Sequence, residues 1–247
     1  MNVEINDLTR RFGRTRAVDG VDLRTGPGVL GLLGPNGAGK TSLLRMIATV
    51  IPPSSGTLRL LERDPGAAGP RREIRRRLGY LPQDLGYYPG FTVVDFVEYF
   101  ALLKEVPPAR VPAAVAAAVE RVGLGDKAKS KLRTLSGGML RRAGIAQAIV
   151  NDPELLLFDE PTAGLDPEQR VEFRTLLRDL GTRATVVVST HLVEDVGAAC
   201  GEVVLMHQGR IAFQGTPEQL TARGEGHGTG DAPLERGYTA VLAEARS

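Results

Sequence analysis

Cysteine and tryptophan are nearly absent from this 247-residue chain: Cys200 is the single thiol and there is no Trp. One thiol excludes an internal disulfide, and no other cysteine supplies metal-ligand spacing, so a reducing cytoplasm suits the chain. Charge of one sign is lacking too. The 31 basic and 29 acidic residues leave a formal net charge of +2, without the overall basic bias of a nucleic-acid binder, and no nucleic-acid partner is expected. Long apolar runs are missing as well. The Ala/Val-rich stretch from Val111 to Val119 stops at Glu120 and Arg121, short of the ~20 residues that cross a bilayer as a helix. The start, Met1-Asn2-Val3-Glu4-Ile5-Asn6-Asp7, has neither the basic region nor the apolar stretch of a secretory signal. Any membrane role therefore requires a separate partner.

What is present is a recurring exchange of strand and helix patterns. Val3 to Leu8 and Val18 to Leu23 alternate as half-buried strands do, with the charged Thr9 to Arg16 segment expected as a turn between them, and together they predict an antiparallel platform. Val29 to Leu33 reads as a short buried strand. A glycine-rich loop follows and opens a helix from Lys40 to about Val50, ended by Pro52 and Pro53. Thr57 to Leu61, an arginine-rich helix near Arg71 to Arg77, and a strand from Leu78 to Pro82 lead to Gln83. A helical pattern from Val93 to about Val122, broken by Pro107, Pro108 and Pro112, resumes over Gly137 to Val150 after Ser136, a natural N-cap; this predicts a helical insertion over about 84–150. Leu155 to Phe158, a helix over Pro167 to Leu180, Val186 to Val188 and a helix after His191 predict a parallel sheet. Val203 to Met206 and Arg210 to Phe213 close it as a hairpin. The length suits one large α/β domain over 1–222 with a small appendage over 223–247, a glycine-rich linker followed by a short helix from Leu234 to Ala245.

The loop Gly34-Pro35-Asn36-Gly37-Ala38-Gly39-Lys40-Thr41 fits the phosphate-loop pattern. Its glycines let backbone N–H groups approach an anion at a helix N-terminus; Lys40 would neutralise β- and γ-phosphate oxygens and Thr41 would offer a hydroxyl to Mg²⁺. Asp159 ends an apolar strand, where a carboxylate needs a cation or donors to offset lost solvation, and Mg²⁺ is the economical partner. Glu160 follows, placed to handle a water beside that metal. Ser136, Gly137 and Gly138 at a helix start are an ordinary cap and turn or a second anion site. Arg71, Arg72, Arg75, Arg76 and Arg77 are read as a solvated helix face.

The phosphate loop, then Leu135-Ser136-Gly137-Gly138-Met139, then Leu155-Leu156-Leu157-Phe158-Asp159-Glu160 resemble, in that order, the ATP-binding cassette ATPases that power membrane transporters. The resemblance implies a P-loop NTPase with a mixed, mainly parallel sheet, an antiparallel β subdomain and a helical subdomain carrying the Leu135–Met139 signature. It implies that Gly34 through Thr41 and Ser42 hold ATP, with Phe12 stacked on adenine, and that Thr41, Gln83 and Asp159 hold Mg²⁺. Glu160, His191, Gln83 and Lys40 then carry hydrolysis. Ser136, Gly137 and Gly138 would complete the site of a second, facing cassette, as homodimer or heterodimer, and Ala163-Gly164-Leu165-Asp166 would link the paired sites. Met139 replaces the family's usual glutamine and Ala163 a frequent serine.

Within that family the chain looks most like the nucleotide-binding subunits of bacterial exporters, on Leu81-Pro82-Gln83 leading into Tyr87-Tyr88-Pro89, on Leu135 to Arg142 and on Leu234-Glu235-Arg236-Gly237-Tyr238. This implies a peripheral protein on the cytoplasmic face of the membrane, coupled to a separate integral permease. Tyr87, Tyr88 and Phe91 around Pro89 are a docking surface or a locally packed cluster. An importer ATPase shares the catalytic motifs, and a soluble cassette ATPase acting on ribosomes or DNA is the alternative of another class.

Overall fold

In the computed structural model, residues 1–226 and 229–246 are described; 227–228, within the expected linker, and 247 lie outside them. Strands β1 (Val3–Phe12) and β2 (Thr15–Thr25) pair antiparallel. Thr9 to Arg16 is not the turn expected from its charge. The ladder continues through Arg10↔Val18, Arg11↔Arg16 and Phe12↔Thr15, and only Gly13-Arg14 turn, with Gly13 at φ 58°. The reason is that backbone pairing persists where the ribbon projects into solvent, so the side chains there carry no apolar alternation.

Strand β3 (Gly28–Leu33) runs through the phosphate-loop sequence into α1 (Lys40–Ile47). That helix stops short of the expected Val50, because Thr49 turns left-handed at φ 59°. Strand β4 (Ser55–Leu60) returns to the free edge of β1, making a three-stranded sheet in the order β2-β1-β4.

Next come α2 (Ala68–Arg76), β5 (Leu78–Leu81) and three helices, α3 (Val93–Leu103), α4 (Val111–Arg121) and α5 (Gly137–Ile149). Thr92 and Asp95 form a reciprocal capping box at the start of α3. Pro112 sits in the first turn of α4, where its missing N–H costs no helical hydrogen bond, so it opens that helix instead of breaking one. The chain then alternates β6 (Leu155–Asp159), α6 (Pro167–Gly181), β7 (Thr185–Thr190), α7 (Val193–Ala199) and β8 (Glu202–His207), and ends with β9 (Arg210–Gly215), α8 (Pro217–Ala222) and α9 (Pro233–Glu244).

The main sheet has the order β5-β6-β7-β3-β8-β9. Every pair is parallel except the β8/β9 hairpin, whose two turn residues, Gln208 and Gly209, both have positive φ, as a tight hairpin of matching twist requires. All residues of β6 and β7 are buried, because helices cover one face and the antiparallel sheet with α1 covers the other. Alternation divides each strand between two cores: Leu155 and Leu157 face the Ile5, Leu8, Leu43 and Met206 side, while Leu156 and Phe158 face the helical side. Helix α9 joins that second core through Val241 and Leu242. Its approach is close enough that a Cβ on Gly237 would lie 1.8 Å from the Leu220 carbonyl oxygen.

Parallel strands end at the same edge. Leu33, Leu81, Asp159 and Thr190 therefore deliver the segments that follow them to one rim, the general place for a ligand in an open α/β sheet.

Candidate active site

The loop between β3 and α1 is shaped by what two positions forbid. Gly34 has φ 154° and a Cβ there would lie 2.4 Å from the Met206 carbonyl oxygen; Gly39 has φ 103° and its Cβ would lie 2.2 Å from that of Ala17. Backbone cannot yield as a flexible side chain does, so only glycine fits. No side chain caps α1, which leaves the N–H groups of its first turn for an anion.

Lys40 is buried at this loop. Its Nζ donates to the carbonyls of Gly34 (2.6 Å) and Pro35 (3.2 Å) and lies 3.7 Å from Glu160 Oε1. Burial pulls its pKa below the usual lysine value, opposed by the charges of Glu160 and Asp159.

Asp159 is fully buried at the end of β6. Its Oδ1 accepts from Ser189 (2.6 Å) and Thr41 (3.2 Å), while Oδ2 is buried with no hydrogen-bond partner. An ionised oxygen in that state is costly unless a cation meets it. The donor set, a carboxylate and a hydroxyl, is the hard-oxygen chemistry of Mg²⁺, which usually takes one or two carboxylates and completes its shell with water and substrate phosphates. The residues present thus fit the ion.

Glu160 has a left-handed backbone, φ 50°, and its N–H donates to the Ser189 carbonyl (3.2 Å) and Oγ (3.0 Å). Its Oε2 lies 2.9 Å from His191 Nδ1. Asn36 through Ser42, Gln83, Glu160 and His191 line one cavity of about 500 Å³, together with Ala17 and Ala163. Gly34, Pro35 and Asp159 do not line it but are bonded to residues that do, Gly34 and Pro35 accepting from Lys40 and Asp159 from Thr41.

Other predicted residues stand apart. Phe12 does not line this cavity; its ring is 48% exposed and carries the Arg10 guanidinium 4.6 Å from its centroid. Ser136, Gly137 and Gly138 do not line it either. Ser136 is exposed and caps α5 by accepting from the Met139 N–H at 3.3 Å. The arginines of α2 bond largely within the chain, Arg71 to Pro65 and Gly66, Arg75 to Thr49, and Arg72 and Arg76 to Glu105.

Three supporting residues escaped sequence reasoning. Ser189 holds both Asp159 and the Glu160 backbone. Asp195, buried on α7, accepts from Thr162 (2.9 Å) and Arg174 (2.7 Å), tying the chain after Glu160 to the helix after His191. Arg141 was visible only as part of the signature run. Burial pulls its pKa down, partly offset by the charges of Asp159 and Glu160.

A family profile described as ABC transporter matches residues 18–163. Nod factor export ATP-binding protein I of Paraburkholderia xenovorans (strain LB400) is 38% identical over 224 residues, covering 89% of this chain and 72% of its own. The protein of the same name from Ralstonia nicotianae is 37% identical over 251 residues, covering 98% and 77%. Among solved structures, the ATP-binding subunit of an ABC transporter superposes with a TM-score of 0.86 over 98% of this chain and 100% of its own, at 22% identity, which speaks for the fold alone. CbiO1 from Clostridium perfringens, part of the ABC transporter complex cbiONQ, gives 0.78 at 28% identity, over 89% and 90%. The profile match takes in more than half of the chain and runs from β2 past both rim carboxylates, so the chain belongs to the ABC transporter family, as an ATP-binding and ATP-hydrolysing subunit.

Proposed function

We propose that this subunit drives an exporter through a separate integral membrane protein, hydrolysing ATP between two facing cassettes at the cytoplasmic face of the membrane. The names of relatives covering up to 98% of the chain support export. No described helix is long and apolar enough to cross a membrane. The exposed Tyr88, its ring centroid 5.0 Å from that of Phe91 in a tilted pair and 6.3 Å from that of Tyr99 in an edge-on pair, offers aromatic surface of the kind that anchors interfaces. The segment carrying Tyr88 and Phe91 follows Gln83, so movement at the cavity and at this surface would share one stretch of chain.

The observation that carries the hydrolytic reading is the position of Glu160 between Lys40 and His191. Gly34 through Ser42 would bind the phosphates by backbone N–H groups and the Lys40 charge. Thr41, Asp159 and Gln83 would hold Mg²⁺, which when bound neutralises phosphate charge and polarises the transferred group. Glu160 takes the proton of the attacking water, and His191 donates from Nδ1 to the same carboxylate and fixes its orientation. The Lys40 ammonium faces the other oxygen of that carboxylate, 3.7 Å from Oε1. Ser136, Gly137 and Gly138 act across the interface, on the γ-phosphate held by the other copy.

Glu160→Gln tests this. The amide keeps the shape but cannot accept the proton, so hydrolysis falls at least about a hundredfold. ATP still binds and now accumulates a dimer on size-exclusion chromatography. A wild-type rate removes Glu160 from its role.

A further inference from the structure

Arg141 lies on α5 about one turn beyond the Ser136 cap, and it is buried. A buried arginine is ordinarily found against a carboxylate. Here every hydrogen bond of the guanidinium goes instead to a main-chain carbonyl. Nε donates to Pro161 (3.3 Å), one terminal nitrogen to Pro82 and Gln83 (2.9 Å each), and the other to Glu160 (2.7 Å) and Asp159. Two separate stretches of chain, after β5 and after β6, are thereby fastened to a third, α5.

We infer that Arg141 is a positioning residue for ATP hydrolysis: its guanidinium locks Gln83 and the Asp159–Pro161 backbone to the signature helix, so that the water-handling groups and the Ser136 anion cap move as one body. The inference rests on the roles proposed above for Glu160 and Gln83. Glu160 has a left-handed φ of 50°, a conformation that persists only where its surroundings over-determine it. Ser189 holds its N–H and Arg141 its carbonyl, so the two clamp the residue from both sides. The rigid fork of five donors is what permits one side chain to reach these segments together. A lysine would keep the charge but present a compact ammonium that cannot span them.

Arg141→Lys in the full-length chain separates geometry from charge. With the carboxylate free to drift by a fraction of an ångström, kcat falls about tenfold to a hundredfold, while the KM for ATP and the dissociation constant of a fluorescent ATP analogue stay within about threefold of wild type, since the phosphate loop makes no hydrogen bond to Arg141. A kcat within twofold of wild type overturns the inference. So does a loss of kcat matched by an equal loss of nucleotide affinity, which marks general destabilisation. If Arg141→Lys does not fold, Arg141→Gln, with two donors and no charge, is read by the same division of kcat from KM. Glu160→Gln measured in parallel keeps the two readings apart. If it stalls while Arg141→Lys turns over normally, only the positioning inference falls; if it hydrolyses normally, the role of Glu160 falls and the inference with it.

Discussion

Two glycine-rich turns in this molecule open helices, and they are finished to different degrees. The Gly34 to Thr41 turn is folded into the protein: Gly34 and Gly39 are pressed against the carbonyls of Met206 and Ala17, and Lys40 is buried among main-chain oxygens beside Glu160. The Ser136 to Gly138 turn is held by little. Nothing lies within 4 Å of where a Cβ on Gly137 would stand, and one on Gly138 would meet only the end of the Gln169 side chain, at 2.5 Å. One turn needs its glycines for the sake of its own chain. In the other the chain itself hardly asks for them, and in the proposed dimer the demand comes from the phosphate and backbone of a facing copy. Glycine alone thus does not mark a complete anion site; what surrounds it does.

The comparison breaks first at Gly39. Alanine there must adopt φ 103° and place a methyl 2.2 Å from a backbone oxygen, so the loop has to rearrange, at a cost of about 2–4 kcal/mol. Gly39→Ala is expected to weaken ATP binding more than a hundredfold in calorimetry and to lower the melting temperature. Wild-type affinity with an unchanged melting curve would show that the loop does not need this geometry.

Ser136→Arg comes next, because it abolishes one property and spares another. Ser136 is exposed and lies outside the cavity, so one copy of the variant binds ATP within about threefold of wild type; losing the cap costs the fold about 1 kcal/mol. Hydrolysis disappears, since a bulky cation now occupies the face offered to the partner. The matching control is wild type diluted into single copies, whose turnover per molecule falls with concentration. If Ser136→Arg also loses binding as a monomer, the signature turn belongs to its own cavity and the distinction between the two turns is wrong.

The difference between the turns also explains what could be read from residues. A phosphate loop writes its geometry into local sequence, because glycines, lysine and threonine act within eight consecutive positions. Asp159 and Glu160 were legible for a similar reason: a parallel strand buried on both faces appears as an unbroken apolar run, and carboxylates at its end stand out. Arg141 was not legible. Its partners are carbonyls 18 to 59 positions away, and a carbonyl has no letter of its own. Ser189 was hidden in the same way, as a small polar residue whose importance depends on the neighbouring strand. The extension of β1 and β2 beyond Leu8 was missed because its outward side chains have no core to alternate against, and Pro112 was misread because a proline's effect depends on which turn of the helix it occupies. Helix α9 was foreseen as a helix; its seat on the second core, through Val241 and Leu242, depends on a close approach at Gly237 that composition does not express.

The smallest expected effect lies at the open end of the finished site. Phe12 is half-exposed on β1 and does not line the cavity that holds the phosphate loop. Arg10 already lies over its ring, so stacking on a base would use the opposite face. One aromatic contact of that kind contributes about 1 kcal/mol, roughly a fivefold change in affinity. Phe12→Ala should therefore raise the dissociation constant for ATP about fivefold. Inorganic tripolyphosphate, which presents similar phosphate chemistry without a base, should compete with unchanged strength. Equal weakening of both ligands would assign the effect to the β1–β2 ribbon that supports the loop, and no weakening of either would remove Phe12 from the site. Only a loss confined to ATP identifies the ring as a contact for adenine, because the triphosphate chain is common to both and the base is not.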